Sequence, residues 1–213
     1  MHDGLGTFTQ WRLDETITAL VLNKQMEPII LVCVPNGGTH ADRFEEYTPT
    51  KDPQEKAGGH ADEYGRMLIE EIKPLIDAEY RTLDGPQNTA LGGVSLGGLA
   101  TLYLGLKYPQ VYGKLAVMSP SLWWDNRMIF SRVKSLTAKP PLRIWLDVGT
   151  AEGSLNSVKE LRDVLKRKGW VLEADLRYYE AKDARHLEED FARRAALVMK
   201  FLFPPVSQNS DLH

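Results

Sequence analysis

Gly92-Gly93-Val94-Ser95-Leu96-Gly97-Gly98 sets one serine among glycines at the point where an apolar run gives way to a helical pattern. Residues 89–94 read as a buried strand, and residues 96–108 as a helix that is apolar nearly all round and is ended by Pro109. A serine at such a junction, flanked by small residues that let the turn close without a Cβ clash, is a nucleophile elbow. The bare Gly-x-Ser-x-Gly pattern arises by chance in roughly one chain of this length in fifteen, so the strand before it and the helix after it carry the reading. A serine hydroxyl is a weak nucleophile at neutral pH, and the chemistry then requires a base, an orienting acid and an oxyanion site.

Working outward, Leu13, Ile17, Leu20 and Val21 follow helical spacing, and after Pro28 the apolar run 29–34 reads as a strand buried on both faces. A polar stretch, 35–59, leads to a second amphipathic helix marked by Tyr64, Met67, Leu68, Ile72 and Leu75. Beyond the elbow helix, strands are predicted at 114–118, 142–148 and 171–178. The pattern Val158, Leu161, Val164, Leu165 before Gly169 marks a helix, and a last helix, 187–203, stops at Pro204-Pro205. Strands alternating with helices predict a three-layer α/β fold with a mostly parallel sheet of about five strands, and reactive groups beyond the carboxyl ends of the strands. Residues 1–205 read as one domain and 206–213 as a flexible tail.

With 213 residues, 43% hydrophobic and 26% charged, the chain can bury one substantial core. A net charge of -3 argues against nucleic acid or anionic membrane as partner. Lys166-Arg167-Lys168 and Arg193-Arg194 read as solvated helix faces. The single cysteine, Cys33, sits in the apolar run, which excludes an internal disulfide, predicts a buried structural thiol and fits a reducing compartment. Met1-His2-Asp3-Gly4 carries no basic flank leading into an apolar stretch and no window approaches membrane-spanning length, so a cytoplasmic location is expected. There is no His-Glu-x-x-His, no cysteine pair and no Walker loop, hence no metal or cofactor is expected.

Of the histidines His2, His40, His60, His186 and His213, only His186 follows the last strand, in a polar loop before the final helix, where it can reach back over the sheet to Ser95. A helix N-terminus disfavours an imidazolium, so a carboxylate partner is needed. Asp147 lies within strand 142–148 and Glu152 in the loop Gly149-Thr150-Ala151-Glu152-Gly153; the loop position is the better placed, with Asp147 as the alternative. The oxyanion site is expected to use the N–H of Leu96 and one from the loop His2-Asp3-Gly4-Leu5, that of Leu5, with a disordered N-terminus as the competing reading of that loop. The paired indoles Trp123 and Trp124, with Arg43 and Tyr47 from the polar loop, are candidates for a substrate pocket.

These pieces together resemble the esterase family of α/β-hydrolases that includes siderophore esterases, feruloyl and acetyl-xylan esterases, S-formylglutathione hydrolase and mycolyltransferases. The matching residues are His2-Asp3-Gly4, Glu46-Tyr47-Thr48-Pro49, Gly93-Val94-Ser95-Leu96-Gly97-Gly98, Ser119-Pro120-Ser121-Leu122-Trp123-Trp124, Gly149-Thr150-Ala151-Glu152 and His186. The resemblance implies Ser95 as nucleophile, His186 as base, Glu152 as acid, and a small ester as substrate. Acyl transfer through the same triad, or a catalytically impaired binding protein, are the alternatives. In the family pattern a strand immediately precedes the His-Asp-Gly segment, with further strands ahead of it, whereas here the chain begins at Met1. The expectation is that run 29–34 moves beside the elbow strand to give a compact five-stranded sheet, the other option being a second subunit of a homo-oligomer over the open edge. On that expectation the oxyanion loop lacks its anchor and activity is weak.

Overall fold

The computed structural model describes residues 1–205. Two helices, α1 (Gly4–Thr9) and α2 (Leu13–Leu22), open the chain, and α3 (His40–Tyr47) follows the run 29–34. A two-residue antiparallel pair, β1 (Lys51–Asp52) and β2 (Ala57–Gly58), precedes a continuous helical stretch: α4 (Ala61–Met67), a π-helical turn Leu68–Ile72, and α5 (Lys73–Glu79). The remainder alternates strand and helix: β3 (Ala90–Val94), α6 (Leu96–Lys107), β4 (Lys114–Met118), α7 (Trp124–Lys134), β5 (Arg143–Gly149), α8 (Leu155–Arg167), β6 (Leu176–Ala181) and α9 (Glu188–Leu202). The main sheet is parallel throughout, in the order β3-β4-β5-β6.

Period-two alternation divides the strand side chains between two cores. Leu91, Leu115, Val117, Ile144, Leu146 and Val148 pack with α6 and α8 on one face. Val94, Ala116, Met118 and Trp145 pack with α2 and α9 on the other. The result is the expected α/β fold, helices on both faces of a parallel sheet. Asp147, two residues from Trp145, therefore faces α9, a placement that matters for the site.

The sheet differs from expectation at one edge. Residues 29–34 are not a strand and do not adjoin β3; they run extended beside Met1, whose amine donates to Val32 O (2.7 Å) and whose carbonyl accepts from Val34 N–H (3.0 Å). His2 N–H in turn donates to Gly92 O of β3 (2.9 Å). Met1-His2 thus lies between the run and β3, and among the described residues the sheet has four strands rather than five. Alongside Met1-His2 a groove of about 460 Å³, lined by residues including Ile30, Val32, Ile76, Ala90 and Phe203, separates the run from β3. Cys33, expected to be buried, is only half-buried in this run. The last strand begins at Leu176 rather than 171, because residues 171–175 form a turn. The proposed flexible tail, 206–213, lies outside the described residues.

Candidate active site

Ser95 joins β3 to α6 at φ 57°, ψ −120°, a conformation that costs a non-glycine residue about 1–3 kcal/mol and persists only where its surroundings enforce it. The enforcement is visible. Ser95 N–H donates to Met118 O (3.1 Å), and Ser95 O accepts from both Leu99 N–H (3.1 Å) and Ser121 N–H (2.9 Å). The elbow glycines are required by packing: a Cβ on Gly93 would lie 2.8 Å from the Gly97 carbonyl carbon, and one on Gly98 would lie 2.8 Å from Met118 O. Leu96 N–H, the first of α6, has no helical acceptor and none elsewhere among the described residues.

Glu152 follows β5 in a tight turn, and its Oε1 accepts from Gly149 N–H (2.8 Å) and from Ser119 Oγ (2.6 Å). Its Oε2 faces His186 Nδ1 at 2.8 Å. Burial alone would raise the Glu152 carboxyl, but the donors from His186, Ser119 and Gly149 outweigh it and hold the group below its ordinary value. Phe191 meets the His186 ring edge-on at 5.0 Å and limits its tilt. With Nδ1 committed to Glu152, Nε2 is the free ring nitrogen, on a side chain that is 47% exposed. Ser95 and His186 line one cavity of about 560 Å³, together with Asp3, Leu5, Arg43 and Phe191. Ser95 Oγ makes its hydrogen bond with Ser121 Oγ (3.1 Å); among the described residues none joins it to His186.

Asp147 does not reach His186. It is completely buried, takes Trp145 Nε1–H on Oδ2 (2.7 Å), and pairs with Arg194 Nη1 at 3.1 Å. Burial pushes its carboxyl up to about 6, with Arg194, Trp145 Nε1–H and Ser119 N–H (on Oδ1, 3.2 Å) opposing the rise. Of the two candidate acids, Glu152 is the one beside the imidazole.

The N-terminal loop is tied down by hydrogen bonds, which corrects the expectation that it lacks an anchor. Besides the two pairings of Met1, Gly4 N–H donates to Val34 O (3.0 Å) and Asp3 N–H to Tyr47 Oη (2.9 Å). His2 is buried, its Nδ1 2.8 Å from Tyr64 Oη, in a cluster of the His2, Tyr47 and Tyr64 rings. Burial holds its imidazole well below the ordinary histidine range. The Leu5 N–H, in the first turn of α1, has no acceptor among the described residues.

The pocket residues are placed unevenly. Arg43 lines the cavity, clamped by Asp3 through Nε–Oδ1 (2.7 Å) and Nη2–Oδ2 (2.9 Å). Tyr47 is fully buried beneath the loop and does not line it. Trp124 is a core residue, 1% exposed, packed on Phe44 with Nε1–H on Thr50 O (2.8 Å). Trp123 is 52% exposed but does not line the cavity that holds Ser95. Three polar residues to which the sequence reading gave no role in the site adjoin it: Ser119, Ser121 and Arg194. Arg194, expected on a solvated face, is 3% exposed. The signal lay in the spacing, because Arg194 falls in the apolar stripe Phe191, Ala195, Val198 and Leu202 of α9.

Comparison with known proteins gives the context. The family model described as "Putative esterase" matches residues 1–195. The chain belongs to this esterase family. Protein YbbA of Bacillus subtilis (strain 168), itself uncharacterized, is 29% identical over 177 residues, covering 76% of this chain and 70% of YbbA. The iron(III) salmochelin esterase of Escherichia coli O6:H1 is 29% identical over 174 residues, 72% of this chain and 38% of that protein. Among solved structures, the BES protein from Bacillus cereus superposes with TM-score 0.74 at 20% identity, over 95% of this chain and 80% of its own. The enterobactin esterase FES from Shigella flexneri superposes with TM-score 0.76 at 20% identity, over 94% and 50%. The chain therefore spans half or less of the two siderophore esterases. The structural likenesses show the α/β-hydrolase fold. No helix among the described residues is long and apolar enough to cross a membrane.

Proposed function

We propose that this chain is a serine carboxylic-ester hydrolase acting through an acyl-enzyme on a small ester. The observation that carries the reading is the 2.8 Å pair between Glu152 Oε2 and His186 Nδ1, on an imidazole that shares one cavity with the strained Ser95. Turning about its Cα–Cβ bond, a picosecond to nanosecond motion, takes the Ser95 hydroxyl from Ser121 toward His186 when substrate enters; catalytic hydrogen bonds commonly tighten only in the complex. His186 Nε2 then accepts the Ser95 proton as Oγ bonds to the ester carbonyl carbon. The tetrahedral oxygen takes its charge against the Leu96 and Leu5 N–H groups.

Collapse breaks the bond to the alkoxy oxygen, which leaves as alcohol with the proton from His186. Water, deprotonated by His186, attacks the acyl carbon; the second tetrahedral species releases the acid and returns the proton to Ser95. Glu152 accepts from Nδ1–H throughout, fixes the tautomer that leaves Nε2 basic, and offsets the imidazolium at the N-terminus of α9. The reading is tested with a chromogenic short-chain ester: a burst of alcohol, abolished in Ser95→Ala, supports it. Slow hydrolysis unchanged in Ser95→Ala would remove it.

A further inference from the structure

Arg194 carries a charge into the interior that the proposed chemistry does not touch. Its Nη1 lies 3.1 Å from Asp147 Oδ1, and its Nη2 lies 3.2 Å from Ser119 Oγ and 3.8 Å from Glu152 Oε1. One buried cation thus stands between two buried carboxylates.

The hydroxyl of Ser119 is the connection. A serine hydroxyl has one proton and two lone pairs, whereas a guanidinium can only donate. With Arg194 Nη2 donating to Ser119 Oγ, the serine proton is left for another acceptor, and Glu152 Oε1 lies 2.6 Å away. Ser119 therefore donates to Oε1, which Gly149 N–H also occupies, and Oε2 is turned to His186 Nδ1. The backbone supports this placement: Ser119 sits at φ 38° with its N–H on Asp147 O (3.0 Å).

We infer that Arg194 is a positioning residue, which through the Ser119 hydroxyl fixes the Glu152 carboxylate and so the orientation of His186, with Asp147 as its counter-charge. The inference rests on the Ser95-His186-Glu152 reading above. The competing role is a clamp that merely ties α9 to β5.

Arg194→Met alone does not separate the two, since it strands the Asp147 charge and destabilises the fold under either role. The informative variant joins Arg194→Met to Asp147→Asn, removing both charges at once, a change that is often neutral for stability. A positioning role predicts a fold with a melting temperature close to wild type, kcat lower on the order of 10–100-fold, as misplacement away from the chemistry gives, and KM changed less than about twofold. Ser119→Ala, which deletes one hydroxyl, gives the same fall in kcat, and adding it to the charge-free pair causes no further loss, as expected for residues acting in one chain of contacts. Wild-type kcat in either the charge-free pair or Ser119→Ala overturns the inference, and the serine variant decides it even if the pair does not fold. Ser95 labelling of the wild-type protein by a fluorophosphonate runs alongside. Labelled Ser95 with undiminished variants overturns this inference alone; unlabelled Ser95 overturns the triad reading and this inference with it.

Discussion

Replacing Glu152 with Gln separates the chemistry from the fold, because the surroundings dictate how the amide must sit. Gly149 N–H, 2.8 Å from Oε1, is a backbone donor that cannot turn away. An amide –NH₂ there would set donor against donor, so the Gln oxygen takes the Oε1 position and its –NH₂ faces His186 Nδ1. Nδ1 must then be the unprotonated nitrogen. The proton moves to Nε2, where a base is needed, and the imidazole can no longer accept from Ser95. Loss of the correct tautomer in a serine triad lowers turnover by about 10⁴-fold, or about 5.5 kcal/mol of transition-state stabilisation. The fold should lose some stability but survive: the Gln oxygen keeps the Gly149 and Ser119 donors, while the ionised carboxyl that the folded state favours, paired with His186 and near Arg194, is gone. Steady-state kinetics with a short-chain ester and a urea titration on the same preparation measure both quantities. A Glu152→Gln protein that keeps more than a tenth of wild-type kcat/KM, or in which only Asp147→Asn abolishes turnover, refutes the reasoning.

Two further outcomes follow from the packing and the buried histidine. Gly98→Ala places a Cβ 2.8 Å from Met118 O and 3.2 Å from Pro120 Cα; it should cost about 1–3 kcal/mol in a chemical melt and displace Ser95. Gly153→Ala, with nothing within 4 Å, should leave the melt unchanged, and equal midpoints for the two would contradict the packing argument. His2 is held neutral by burial, so below pH 6.5 the unfolded chain takes up a proton that the folded chain refuses, and stability is lost as pH falls. The slope approaches about 1.4 kcal/mol per pH unit. Asp147, raised to about 6, works in the opposite direction between its unfolded value and 6, so the test is the difference between wild type and His2→Leu in urea melts at pH 7 and pH 5.5. Identical slopes would show that His2 is not held neutral.

The parts of the fold legible in the sequence are those set by local pattern. The elbow glycines are read correctly because a Cβ at Gly93 or Gly98 would strike backbone. Loop placement after β5 foretells which carboxylate lies beside His186, since a strand residue projects into a layer whereas one past its end, as Glu152, can turn toward the sheet's rim. What depends on a distant partner was not legible. Run 29–34 has a strand's composition, but its backbone bonds go to Met1 and Gly4, some thirty residues away in sequence, and local pattern does not reveal that pairing. Trp124 belongs to a motif that suggests a pocket, yet Thr50 O and Phe44, far off in sequence, draw it into the core. Arg194 follows another arginine and reads as solvated, although the apolar spacing around it showed which way it faces.

The proposed chemistry requires Ser95 to be a nucleophile activated by His186. Intact and peptide mass spectrometry after brief treatment with a fluorophosphonate measures this directly. One adduct on Ser95, forming at least about a hundredfold more slowly in His186→Ala, is the predicted result. A folded protein whose Ser95 stays unmodified, or is modified at the same rate without the imidazole, contradicts it.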